Sequence, residues 1–117
     1  MTHHSEEHRD PRMKDCIDNC THCHAMCLET ISHCLSKGGK HAAQEHISLL
    51  SACADICATS ADTMLRNASV HSVTCASCAE ICRRCAEACE SFGDDAEMKR
   101  CAEMCRRCAD SCESMAA

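Results

Sequence analysis

Apolar and polar positions follow a helical rhythm along almost the whole of this chain. In the stretch "CAEICRRCAEACESF", residues 78–92, cysteines stand at Cys78, Cys82, Cys85 and Cys89, in steps of 4, 3 and 4. Such steps straddle the 3.6-residue turn of an α-helix, so the four thiols form one stripe. The remaining faces carry Glu, Arg and Ala. The pattern returns as "CAEMCRRCADSCESM", residues 101–115, which matches the first copy at 11 of 15 positions and holds Cys101, Cys105, Cys108 and Cys112. A third copy, "CIDNCTHCHAMC", holds Cys16, Cys20, Cys23 and Cys27. The fourth, "CADICATSADTM", keeps Cys53 and Cys57 and has Ser60 and Met64 in the other two slots. Four copies of one motif predict four equivalent helices.

Breakers separate the copies. The first helix is expected over 11–36, with Pro11 in its first turn and Gly38-Gly39 at its end. A second is expected over 40–67, and a third from Ser69 or Ser72 to just before Gly93. Asp94 or Asp95 can cap the fourth, which reaches Met115. Short connections make consecutive helices antiparallel neighbours. The predicted fold is all-α, an antiparallel up-down-up-down four-helix bundle over residues 11–117 with a cysteine-lined core. A flexible His-containing tail, residues 1–10, is expected to precede it.

Aligning the repeats antiparallel predicts layers. From one end these are Cys16, Met64, Cys75 and Cys112, followed by Cys20, Ser60 or Ala61, Cys78 and Cys108. Two layers of four thiols come next: Cys23, Cys57, Cys82, Cys105, and Cys27, Cys53, Cys85, Cys101. Ile31, Leu50, Cys89 and Met98 follow, and Cys34, His46 and Phe92 close the far end.

Composition sharpens the picture. The 117 residues include 16 Cys but one Phe and no Trp or Tyr, so large apolar side chains alone would make a thin core. A net charge of −6 argues against nucleic acid as a partner. The pairs Arg83-Arg84 and Arg106-Arg107 lie at helical spacing from Glu80, Glu87, Glu103 and Asp110, as on a solvated face of ion pairs. No run approaches ~18 apolar residues, so no membrane span is expected. Residues 1–15 lack an apolar leader core and a twin arginine, which points to the reducing cytoplasm.

Several readings of the thiols compete. As pure packing, sixteen cysteines would bury far less area than Leu or Ile in the same register. As disulfides, residues four apart on a helix have Cβ atoms ~5–6 Å apart, too far to bond without distortion. Zinc takes four ligands, and two layers could supply one each, leaving eight cysteines without a role. Monovalent copper explains both the number and the stripe, because soft thiolates select Cu(I) and neighbouring ions can share them. The metal itself drives deprotonation of the buried thiols.

On these residues the sequence resembles a known family, the cysteine-rich four-helix-bundle copper storage proteins. The likeness rests on the Cys-x-x-x-Cys pairs 16/20, 23/27, 53/57, 78/82, 85/89, 101/105 and 108/112. It implies storage of many Cu(I) ions inside the bundle, assembly as a homotetramer, and membership of the cytosolic branch. Two cysteines instead of four in the second helix depart from the pattern beside Ser60 and Met64.

Cys34 and Cys75 complete the set of candidate thiol ligands. His46, seven residues before Cys53, and His71, four before Cys75, extend it with Met64. The cluster of Met13, Met64, His71 and Met115 marks one end as the expected copper entrance, and the competing arrangement places the entrance at Cys34, His41 and His46. His22, His24, His33 and His41 are expected to face solvent or a loop, and His3 or His4 could chelate divalent copper with the amino terminus. No catalytic constellation is visible, so no enzyme activity is expected. Copper ions, delivered by a copper chaperone or another copper protein, are the expected partners. An iron–sulfur or other redox protein working in electron transfer, or a zinc-binding bundle, stay open as alternatives.

Overall fold

The computed structural model describes residues 9–116, which form four long helices. Residues 1–8, including His3 and His4 and most of the expected tail, lie outside the described residues. Helix α1 spans Pro11–Lys37, α2 Gln44–Leu65, α3 His71–Glu90 and α4 Ala96–Met115. The body measures 50 × 24 × 21 Å. Each helix packs on its two neighbours in the ring α1–α2–α3–α4, and the diagonal pairs make no close backbone approach. That square arrangement leaves a central line where all four stripes meet.

The ends explain why the helices stop where they do. Asp10 caps α1 by accepting the Arg12 N–H at 2.8 Å, and Pro11 fills a first-turn position that needs no donor. Gly38, at φ 72, turns the chain out of α1 while its N–H returns to the Cys34 carbonyl. Asp95 caps α4, its Oδ1 accepting from Glu97 N–H at 3.0 Å and Met98 N–H at 3.1 Å.

Three boundaries differ from expectation. The second helix starts at Gln44, not residue 40, because Gly39–Ala42 wind as a short 3-10 turn directly after Gly38 and Ala43 is extended. It also ends at Leu65, two residues early, and Asn67 then adopts the left-handed region at φ 55. The third helix opens at His71, and neither expected serine caps it.

Every cysteine lies on the inner stripe, no more than 1% exposed. Alanines Ala79, Ala86, Ala102 and Ala109 are buried at the flanks of the α3 and α4 stripes. Small flanking residues let the helices come close enough for short cysteine side chains to meet across the middle. Arg83 bonds Glu113 at 2.7 Å, and Arg106 grips Glu90 through two bonds of 3.0 and 2.8 Å. Both pairs tie α3 to α4 on the solvated face, where such pairs are worth ~0–1 kcal/mol each.

Candidate metal centre

The sixteen thiols are all free and line the buried interior of the bundle. Cys16 and Cys20 lie 3.5 and 3.4 Å from Cys112, Cys20 is 3.7 Å from Cys108, and Cys23 is 3.8 Å from Cys105. From α2, Cys57 reaches Cys78 and Cys82 at 3.7 Å and crosses the diagonal to Cys108 at 3.8 Å. Cys53 lies 3.6 Å from Cys82 and 4.0 Å from Cys105.

The expected flat layers are corrected to a staggered ladder. Cys23, Cys53, Cys57 and Cys82 form one tetrad, and Cys27, Cys85, Cys101 and Cys105 another, with every sulfur within 4.8 Å of the others in its set. Each α2 thiol thus sits between rungs, because steps of three and four place successive residues at alternate heights and angles on the stripe. Ser60 leaves the column altogether: its hydroxyl donates to the Thr74 carbonyl at 3.0 Å, in the seam between α2 and α3. Ile31 is only half-buried, and Thr30 takes the inner position expected of it. The Thr30 hydroxyl donates back to the Met26 carbonyl at 2.8 Å, so its polarity is satisfied within α1. Steps of 4-3-4-3-4 from Cys16 through Cys34 pointed to Thr30, and its hydroxyl hid the signal.

Spacing decides what the column can hold. Metal–thiolate bonds of about 2.3 Å put two sulfurs about 4.6 Å apart across a linear ion and about 4.0 Å apart around a trigonal one. The sulfur pairs already 3.4–4.0 Å apart need to part by at most about 0.6 Å for a trigonal ion and about 1.2 Å for a linear one. Separate tetrahedral zinc sites use only part of the thiols: the tetrads Cys20, Cys78, Cys108, Cys112; Cys23, Cys53, Cys57, Cys82; and Cys27, Cys85, Cys101, Cys105 share no ligand, but closing all three leaves Cys16, Cys34, Cys75 and Cys89 outside, and further tetrads overlap them. Cys53 belongs to the set Cys23, Cys53, Cys57, Cys82 and also to Cys23, Cys27, Cys53, Cys105, while Cys57 recurs with Cys78, Cys82 and Cys108. A closed zinc site in one tetrad strips of ligands those tetrads that overlap it. Ions of low coordination that share bridging thiolates can fill the whole ladder, and soft sulfur selects Cu(I) among them.

Without metal the column holds its protons. Burial, foremost, pushes the Cys34 thiol up to about 11, with the nearby Cys101, Asp95 and Glu97 charges adding to it. Cys75 is pushed up to about 12: the hydrogen bond with Cys112 lowers it, but Cys16 and burial outweigh that. Deeper in, Cys105 is raised, above all by its bond with Cys101, which is itself lowered, above all by Cys105. An incoming cation is what draws the protons off these thiols.

The column ends differently at its two poles. At the pole formed by the start of α1 and the end of α2, Met64 is fully buried and Met115 nearly so, while Met13 and His71 are half-buried. Among the described residues, the buried Nδ1 of His71 has no hydrogen-bond partner. At the other pole Cys34 meets the Met98 thioether at 3.6 Å, and His46 turns Nε2 toward Cys89 at 4.0 Å. The His46 Nδ1 is bonded to the His41 carbonyl at 2.9 Å, and Phe92 stacks against both rings. Leu50 packs fully buried beside this pole.

Not all the histidines are idle. His22 is exposed as expected, but His24 bonds the Ala54 carbonyl at 2.9 Å across the α1–α2 seam. His33 and His41 converge on Oδ2 of Asp95 at 3.0 and 2.9 Å. Residues 62 and 54 positions apart carry no local signal for such a cluster. The expectation that these two simply face solvent is corrected.

The comparisons with known proteins agree with this chemistry. A family model described as copper storage protein matches residues 9–117. No curated protein sequence matches the chain. Among solved structures, a protein of Nitrosospira multiformis is 42% identical with a TM-score of 0.86, covering 92% of this chain and 97% of that one. The Cu(I)-bound copper storage protein BsCsp3 is 34% identical with a TM-score of 0.83, covering 91% and 99%. Apo copper storage protein 3 from Bacillus subtilis is 34% identical with a TM-score of 0.78, covering 89% and 98%.

Proposed function

The chain belongs to the copper storage protein family, and from that premise we propose how its column of thiols takes up and keeps many Cu(I) ions. The observation that carries the reading is the buried run of thiols whose tetrads share ligands, which suits bridged ions of low coordination. If each thiolate bridges two ions and each ion takes two sulfurs, capacity is on the order of 16 ions per chain, one per cysteine. All sixteen cysteines serve as ligands, with Met64, His71 and His46 offering sulfur and imidazole at the poles. Loading releases protons, because neutral thiols become bridging thiolates. Titration of the reduced apo-protein with Cu(I) against a competing chelator tests the reading. Many equivalents per chain are expected, and saturation at one or two would overturn it.

Copper enters at the pole of Met13, Met64, His71 and Met115. The unpartnered imidazole nitrogen of His71 supports this end, because a bare ion moving through apolar packing pays a large desolvation cost. A copper chaperone or another copper protein delivers the ion there. The store works in the cytoplasm, since an oxidising compartment would turn thiols 3.4–4.0 Å apart into disulfides and destroy the ligands. Among the described residues, no helix is long and apolar enough to cross a membrane. The protein is a store and has no catalytic role. Assembly as a homotetramer is supported by apolar surface at Leu28, Leu35, Leu65, Val70 and Val73, each about half exposed. Light scattering showing a monomer at micromolar concentration would refute the assembly.

A further inference from the structure

The pole opposite the proposed entrance carries a second cluster of metal-ligating groups that the thiol column does not use. His33 near the end of α1, His41 in the 3-10 turn and Asp95 at the start of α4 meet there. Both imidazoles present Nε2 to a single oxygen, Asp95 Oδ2, at 3.0 and 2.9 Å. The other oxygen, Oδ1, is committed to capping α4, which fixes the carboxylate's orientation. The three side chains are 14–22% exposed, reachable from solvent yet held in place.

From this convergence we infer that His33, His41 and Asp95 form a separate site for one borderline divalent cation such as Zn2+, distinct in ligands and in metal preference from the thiol store. Two imidazole nitrogens and one carboxylate oxygen are a donor set that suits zinc, with a water completing the tetrahedron. Ligands about 2.0–2.1 Å from a tetrahedral ion lie about 3.3 Å apart. The nitrogens therefore need to draw back from Oδ2 by only about 0.4 Å to admit it. The rings stand at 76° with centroids 5.8 Å apart, so neither blocks the other.

Protons also balance. A ligating Nε2 must give up its hydrogen, and a neutral imidazole does so by carrying it on Nδ1 instead. For His33 that nitrogen lies 3.7 Å from Glu97 Oε1, just beyond hydrogen-bond reach, so a small rotation would seat it on the outer carboxylate that zinc-bound histidines commonly use. His41 is steadied by Phe92, 4.3 Å from its ring. Positive groups do not defeat the site: of Lys37 and Arg100 on the adjoining depression, Arg100 is paired to Glu97 at 3.5 Å. A bound ion would tie α1, the turn and α4 together at one point. Hydrogen bonds alone tie them more weakly.

The test uses the full chain already saturated with Cu(I), so that the thiols cannot compete for zinc. Zn2+ is titrated against a chromophoric chelator, and Co2+ serves as a spectroscopic substitute. One Zn2+ per chain is expected, with a Co2+ spectrum of nitrogen and oxygen ligands. His33→Gln with His41→Gln should abolish binding, Glu97→Gln should weaken it by about 10-fold, and His22→Gln should change nothing. The copper content and circular dichroism of each variant report whether the bundle is intact, and His33→Gln alone replaces the double variant if that one fails to fold. No zinc bound by the copper-loaded protein, undiminished binding by the variants lacking His33, or a thiolate-type Co2+ spectrum would each overturn the assignment.

Discussion

Replacing Cys57 by serine tests the bridged-ladder reading most directly. Its sulfur has three neighbours on two other helices, Cys78 and Cys82 at 3.7 Å and Cys108 at 3.8 Å, and it is fully buried. If each thiolate bridges two ions, Cys57→Ser leaves two ions one sulfur short, and the surrounding thiols can recapture one of them. Capacity should therefore fall by about one to two ions out of roughly 16. The apo-protein should suffer too, since a hydroxyl in an apolar site costs about 1–3 kcal/mol unless it finds a partner. A donation to the Cys53 carbonyl, one turn back, holds the cost toward the lower value. For a domain of this size each kcal/mol lowers Tm by about 3–6 °C. The assay pairs a chelator-competed Cu(I) titration with thermal melts of the apo form, and Cys34→Ser is the comparison. Cys34 meets a thioether, Met98, at 3.6 Å near the pole, so its loss should remove at most one ion. Unchanged capacity and Tm in Cys57→Ser, or a larger loss in Cys34→Ser, would refute the ladder.

The apo-protein should be fully helical in chelator and reductant, because caps, turns and alanine-flanked stripes are in place without metal; a random-coil circular dichroism spectrum would count against this. The Asp95 carboxyl is held well below the usual range, first by its bond with His33, then by Met98 N–H and His41 against the opposing effect of burial. Its contribution to stability is therefore present above about pH 4 and disappears as the pH falls through the lowered folded-state value. Denaturant melts of wild type and Asp95→Asn should differ at pH 5 and converge toward pH 2. Replacing Met64, His71 and Met115 together with Leu should slow Cu(I) uptake in stopped-flow experiments more than it lowers final capacity, while Phe92→Ala should change loading little. Normal loading by the triple variant with slow loading by His46→Ala would place the entrance at the other pole.

Much of this molecule was determined by local sequence alone. Steps of 4-3-4 on four repeats, filled by thiols in three and by Cys53, Cys57, Ser60 and Met64 in the other, dictate helix, stripe and bundle together, because helical period and hydrophobic burial act on neighbours along the chain. Asp95 as a cap and Gly38 as a stop were legible for the same reason, as each acts on its own backbone. Tertiary structure decided what depends on helices meeting at a particular height and rotation. It staggered the rungs so that Cys53 and Cys57 serve two tetrads each, and it moved Ser60 into a seam where its hydroxyl donates to the Thr74 carbonyl. It chose Thr30 over Ile31 for the interior, since a hydroxyl satisfied within its own helix can face a core. The convergence of His33 and His41 on Asp95 was set in the same way. Their meeting depends on how two glycines wind the turn after α1 and how α4 is set against it, and no periodicity in the sequence encodes that distance.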